Sequence, residues 1–262
     1  MPSGTLFFTW RLASFDILWV HTFRYNKKLC EFERFAQPPH FWIGLFLAFR
    51  MPQEPPSSAA MPVVAAFDFD GTLTYRDTLL PFLARVSWPK LALGLAMVSP
   101  ALALLMCGQG GNDHGMARRE RAKQRLCSVV LRGRRQSDLK ALAARWIPGI
   151  ALRPDMLARL RAHQESGHQV VIVSASPDLY LEEVARGLGA ELICTRLETE
   201  GGRLTGRFST PNCWGPEKVA RLEARFGPIG DYALHAYGDS SGDAWMLKAA
   251  DCAWLNGKRV VR

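Results

Sequence analysis

The chain has 262 residues, a formal net charge of +9, 48% hydrophobic residues and 22% charged ones. That balance excludes a disordered or low-complexity chain and leaves room for one substantial domain plus a smaller one. Six scattered cysteines (Cys30, Cys107, Cys127, Cys194, Cys213 and Cys252) form no CxxC pair. This argues against a zinc module or disulfide framework and for a reducing, cytosolic setting.

Residues 1–50 hold 13 of the 27 aromatic residues, without clear periodicity. Their longest apolar run, Phe41 to Phe49, is too short to span a bilayer, and no signal-peptide pattern leads the chain. Met51 to Pro62 is a Pro/Ser/Ala linker. Residues 1–60 are therefore read as an extension and linker outside the core, with Met61 as the natural start.

Val63 to Phe67 reads as a buried strand that ends in Asp68 and Asp70. Two apart, these carboxylates would share one face of an ideal strand, and Gly71-Thr72 lets the chain turn and offers N–H groups to an anion. Such a pair suits a hard cation such as Mg²⁺, or a nucleophile beside an acid/base. Taken alone, it describes a polar turn equally well. An EF-hand is disfavoured, because its glycine belongs at the sixth loop position.

Residues 76–150 read as helices. They hold 13 Lys/Arg against 4 Asp/Glu, whereas residues 151–262 carry 14 of each. The basic excess implies an anionic partner or surface for this segment. Thr78 is a candidate cap for a helix starting at Leu79. Leu91 to Cys107 is uncharged over seventeen residues, with Pro100 inside. It suits a buried helical hairpin, an interfacial membrane segment or a short span. The basic run Arg118 to Arg125, followed by Arg132, Arg134 and Arg135, is either a solvated helix face or a contact with anionic lipid. A lipid contact is worth about 1 kcal/mol per basic residue. Residues 86–135 are thus the candidate membrane-facing surface. No nucleic-acid-binding signature is present, and none is expected as a specific partner.

From Arg153 helices and strands alternate. A helix from Pro154 to Glu165 ends at Gly167, and the strand Gln169–Val173 runs into Ser174 and Ser176. Ser176 is read as an N-cap with Pro177 in the first turn. A helix follows to Leu188, stopped by Gly189. Next come a strand over 191–197, a hairpin at Gly201-Gly202 and a helix from Pro216 to Phe226 that carries Lys218. A strand over 233–237 leads to Asp239 and Asp243, and a last strand covers 251–255. The expected fold is α/β, a doubly wound (Rossmann-like) parallel sheet built from 61–75 and 151–262. Residues 76–150 are expected as an all-helical insertion, the cap of the family named below.

Three strand ends thus carry polar chemistry, with a lysine between the last two. Each has an ordinary structural explanation, but their joint occurrence in this order resembles the haloacid dehalogenase-like (HAD) phosphohydrolase superfamily. Asp68-Phe69-Asp70-Gly71-Thr72, Ser174, Lys218 and Asp239 through Asp243 match its four motifs. The cap position is similar to that of the phosphoserine phosphatase branch (subfamily IB). The stretches SASPDLYLEEVA and NCWGPEKVARL look closest to relatives that include phosphatidylglycerophosphatase C. The resemblance implies a Mg²⁺-dependent phosphatase acting on a phosphate monoester. Asp68 would be the nucleophile and Asp70 the acid/base. Asp68, Asp70 (through its backbone carbonyl), Asp239 and Asp243 would hold the metal. Ser174 and Lys218 would bind phosphate, with Gly71, Thr72 and Ser176 as further donors. Gly71 stands where phosphoserine phosphatases usually carry Ser. Asp77 stands where they carry a Glu that meets the substrate amine. These departures and the basic cap favour an anionic lipid headgroup over phosphoserine, handled in the cytoplasm or at the cytosolic face of the inner membrane.

Overall fold

The computed structural model describes residues 11–12, 15–16, 61–107 and 113–260, with side chains described for 61–98 and 120–260. The expectations for residues 1–60 lie outside the described residues, apart from a two-residue antiparallel pair, β1 (Arg11–Leu12) with β2 (Phe15–Asp16). A separate unit runs from Ser58 to Arg262.

Its centre is β3 (Val63–Phe67), in a six-stranded sheet of order β10-β9-β8-β3-β4-β5. The others are β4 (Gln169–Pro177), β5 (Glu191–Thr195), β8 (Ala233–Gly238), β9 (Cys252–Leu255) and β10 (Lys258–Val260). Neighbours are parallel except β10, an antiparallel edge strand on β9. β3 is apolar throughout because both of its faces are covered, as parallel sheets require. Val64 and Ala66 enter one core layer with Leu222, Met246 and Leu247, whereas Ala65 and Phe67 enter the other with Met156, Leu160 and Leu181. The first layer is closed by α6 (Pro216–Phe226) and α7 (Ala244–Ala249), and the second by α4 (Pro154–Glu165) and α5 (Asp178–Leu188). The expected doubly wound α/β fold is thus present. Chain order reverses at β3, flanked by β4 and β8, and the carboxyl ends of strands at such a switch point are where open sheets bind ligands.

Between β3 and β4 lie α1 (Leu79–Cys107), α2 (Asp113–Leu131) and α3 (Gln136–Trp146). α1 is broken at Ser87, whose backbone is extended. Within the uncharged run, Leu91, Gly94 and Val98 are buried, whereas Ala92, Leu93, Ala96 and Met97 face outward. Gly94 allows the approach to α2, because a Cβ there would stand 2.7 Å from Leu126 Cδ1. Among the described residues, no helix is long and apolar enough to cross a membrane.

A hairpin from the sheet side leans onto these helices. β6 (Leu197–Glu200) and β7 (Arg203–Phe208) are joined by Gly201-Gly202, both at the positive φ that a two-residue hairpin turn needs. Leu204 exchanges backbone hydrogen bonds with the turn after α2: Gly133 N–H donates to Leu204 O at 2.8 Å and Leu204 N–H to Arg134 O at 2.9 Å. The helical insertion is therefore bonded to the α/β part at a site distant from its two connecting segments.

Candidate active site

The ladder continues one residue past β3, where Asp68 N–H donates to Tyr237 O at 2.9 Å. The chain then leaves the strand for a tight turn over Phe69–Leu73. Two consequences differ from the ideal-strand expectation. Asp68 and Asp70 are not successive residues on one face of a strand, and each has its own set of partners. Gly71 occupies a position closed to other residues on two counts: its φ is +82°, and a Cβ would lie 2.1 Å from Asp239 Oδ2.

Lys218, in the first turn of α6, is 2% exposed. Its ammonium donates to Asp68 Oδ1 and Asp243 Oδ1, both at 2.6 Å, and to Val173 O at 2.8 Å. All three of its protons are thus used. Burial alone would discharge the lysine, but Asp68 and Asp243 outweigh that and hold it well above its usual range. Asp243 turns its other oxygen to the loop it belongs to, accepting from Asp239 N–H at 3.2 Å, Ser240 N–H at 3.1 Å and Ser240 Oγ at 2.9 Å. Asp239 is half-buried, and its Oδ1 receives a long hydrogen bond of 3.5 Å from Thr72 Oγ1.

Asp68, Asp239 and Asp243 each bring an oxygen within 4.8 Å of the others. Three carboxylates face one ammonium, so with all three ionised the site carries two surplus negative charges in largely buried surroundings. Burial, only partly offset by Lys218 and reinforced by Asp243, pushes the Asp68 carboxyl up to about 8. Asp239 is raised by burial and by Asp243. An all-oxygen set with two surplus negative charges fits a hard divalent cation.

Asp70 turns elsewhere. Its Oδ1 accepts from Thr78 N–H at 2.7 Å and Thr78 Oγ1 at 2.5 Å, and its Oδ2 accepts from Ser176 Oγ at 2.5 Å. Burial and the nearby Asp77 raise it to about 6, against the pull of these hydrogen bonds. That places one carboxyl where it can both give and take a proton near neutral pH. Among the metal candidates Asp70 is thus the one whose carboxylate is engaged away from the acidic trio, leaving its backbone carbonyl as the expected contact. Ser176 is not the N-cap that the sequence suggests: β4 runs through Pro177, α5 begins at Asp178, and the serine hydroxyl is spent on Asp70. Thr78, similarly, gives its hydroxyl to Asp70, while Asp77 Oδ1 caps α1 by accepting from Leu80 N–H at 3.2 Å.

Ser174 is buried at the carboxyl end of β4, where its Oγ accepts from Ser176 N–H at 3.1 Å. Asp77 lines a cleft of about 460 Å³ with Tyr75, Arg76, Arg85 and Trp146. Sequence pattern pointed to Thr78 only as a helix cap and did not point to Tyr180, Lys123 or Asn212. Tyr180 supports Thr78, its hydroxyl lying 3.0 Å from Thr78 Oγ1. Lys123 leaves the basic face of α2 and reaches inward, donating to Ala175 O and, at 2.6 Å, to Asn212 Oδ1. Burial lowers its pKa, while Asp70 and Asp77 are among the groups pulling it back up. A lysine inside a charge run looks like its solvated neighbours until the helix is placed.

Comparison with known proteins agrees with this geometry. Protein CicA of Caulobacter vibrioides is 39% identical over 204 residues, 77% of this chain and 87% of that one. A Mycobacterium tuberculosis protein named as a probable phosphatase is 30% identical over 213 residues, 76% of this chain and 70% of the other. A Bordetella pertussis protein of unknown function shares the fold with a TM-score of 0.54 at 22% identity, over 72% of this chain and 87% of that one. A substrate-bound phosphoserine phosphatase shares it at 0.50 and 19%, over 74% and 85%. The family profile described as haloacid dehalogenase-like hydrolase matches residues 65–248, which include Asp68, Asp70, Ser174, Lys218, Asp239 and Asp243. The chain belongs to the haloacid dehalogenase-like hydrolases.

Proposed function

We propose that this hydrolase is a Mg²⁺-dependent phosphomonoesterase working through an aspartyl-phosphate on Asp68. The observation that carries the reading is the division of labour between the two turn carboxylates. Asp68 is bound to Lys218, and Asp70 is held apart by Thr78 and Ser176 with its carboxyl raised to about 6. With Oδ1 taken by Lys218, Oδ2 of Asp68 attacks phosphorus in line. The ester P–O bond breaks as Asp70 gives its proton to the departing oxygen. Asp70 then takes a proton from the water that attacks the phosphoenzyme, releasing inorganic phosphate and restoring Asp68. Ser174 and the Gly71-Thr72 turn hold the non-bridging oxygens, while Lys218, its three protons committed to Asp68, Asp243 and Val173, offsets negative charge beside the phosphoryl group. Ser176 is assigned to positioning Asp70 rather than to substrate. A Mg²⁺ ion held by Asp68, Asp239, Asp243 and the Asp70 carbonyl supplies charge neutralisation at the phosphoryl group when bound.

For the substrate we favour a phospholipid headgroup such as phosphatidylglycerophosphate, met at an anionic membrane surface from the cytosolic side. Trp88, Leu93 and Met97 are 65%, 57% and 53% exposed, on the same helix as Arg85 and Lys90. A second reading is a soluble ester, phosphoserine or phosphocholine, with a phosphotransferase as a variant. It is favoured by Asp77 and Lys123, each close enough to Asp70 to interact with it electrostatically, an acidic and a basic group suited to a zwitterion. Phosphate release with Mg²⁺ from the lipid in mixed micelles, against both soluble esters, decides between them. Lipid preference supports the membrane reading, and preference for a soluble ester overturns it. Product analysis with added alcohol separates transfer from hydrolysis.

A further inference from the structure

Away from the carboxylates, three elements bring histidines together on the sheet face beneath α4. His163 sits in the last turn of α4 and is 8% exposed, His168 follows that helix, and His235 lies on β8. His163 Nδ1 and His168 Nδ1 share a hydrogen bond of 2.7 Å, which a metal ion bound between them would replace. Ring centres are 5.0 Å apart for His163 and His168, 5.2 Å for His163 and His235, and 6.2 Å for His168 and His235. Three imidazoles that each give one nitrogen to a tetrahedral metal place their ring centres roughly 5 Å apart. Two of the three separations already match, and the third closes by a turn of the half-buried His168 or His235. That turn is required, since the three rings do not yet bring a nitrogen each within 4.8 Å of the others. The outer contact of a metal-binding histidine is also present: His163 Nε2 lies 2.8 Å from Tyr237 Oη, which leaves Nδ1 as the coordinating atom.

We propose that His163, His168 and His235 form a binding site for a transition-metal ion of Zn²⁺ type, separate from the carboxylate site and independent of the phosphatase reading. Imidazole nitrogen suits such an ion and not Mg²⁺. Of the surrounding charges, Arg159 near His163 and Arg259 near His235 oppose a cation, though Arg159 lies over the Trp254 ring and Arg259 donates to Cys252 Sγ, while Asp251 near His235 favours one.

The test is a Co²⁺ titration of the full chain in saturating Mg²⁺, read by visible absorption. One equivalent giving an intense tetrahedral band, displaced by Zn²⁺, is expected of the wild type, and this readout needs no variant. His168→Gln and His235→Gln, each checked for folding by circular dichroism, should weaken Co²⁺ binding at least about tenfold. Asp239→Asn should leave it intact. A wild type without the band, a Co²⁺ affinity unchanged in either histidine variant, or a band lost in Asp239→Asn overturns the proposal.

Discussion

At the scale of single residues, the site is a small number of buried charges that tolerate no vacancy. Lys218 stabilises Asp68 and Asp243 at once, so Lys218→Met strands two carboxylates in the interior. It should cost about 3–5 kcal/mol in denaturant unfolding as well as activity. Asp68→Asn should lower turnover on the order of 10⁴-fold while circular dichroism stays native, because it removes the proposed nucleophile and keeps the shape. Asp70 is tuned by hydrogen bonds that favour its charged form, and Thr78→Val removes one of its three contacts, the Thr78 hydroxyl, while keeping Thr78 N–H and Ser176. The limb of the pH–rate profile expected near 6 should then move upward; a downward shift would contradict the assignment of Asp70. The six residues matched to motifs were legible in the sequence because each stands where a strand ends or a helix begins, which apolar runs and Pro or Gly punctuation reveal. Lys123 was not, since its partners Ala175 and Asn212 lie far along the chain, and Thr78 was not, since the turn over Phe69–Leu73 that aims Asp70 back at it leaves no pattern in the sequence.

At the scale of elements, strands and helices of the α/β part follow their sequence signals closely. α4 begins at Pro154, α5 stops at Gly189 in the left-handed region, and the Gly201-Gly202 hairpin forms as read. What the pattern could not give was how elements lean on each other. The hairpin looked like a plain connection, yet it buries Leu204 and presses Gly206 against Ser128. A Cβ at Gly206 would lie 2.6 Å from Ser128 Oγ, and its φ is +86°. Gly206→Val should therefore lift β7 from α2. The expected result is a loss of about 1–3 kcal/mol and faster amide exchange in 197–208, with the sheet unaffected. Ser176 failed as an N-cap for a related reason: a hydroxyl next to a buried carboxylate bonds the charge, which is the stronger acceptor.

For the whole molecule, the decisive quantity is uncompensated negative charge at the switch point of the sheet. Asp68 and Asp70 have carboxyls raised to about 8 and about 6, so the folded state keeps protons that the unfolded state releases near 4. Their contribution is therefore fully present at acid pH and is lost as pH rises through 6 and then 8. Without divalent cations, the melting temperature should fall between about pH 5 and about pH 8, and millimolar Mg²⁺ should remove most of that slope. An unchanged slope with Mg²⁺ would mean that the carboxylate trio does not hold the ion. The net charge of the cap was visible from composition, but which of its faces turns inward depended on how α1 and α2 pack.

In the proposed mechanism Asp68 carries the phosphoryl group between two half-reactions. Rapid acid quenching of the full chain turning over an aryl phosphate with Mg²⁺, in the Asp70→Asn background that slows the second step, tests it most directly. Peptide mass spectrometry should find a single phosphoryl adduct on Asp68, labile to hydroxylamine as an acyl phosphate is. Phosphate release without any adduct on that residue, or an adduct that persists in Asp68→Asn, would contradict the mechanism.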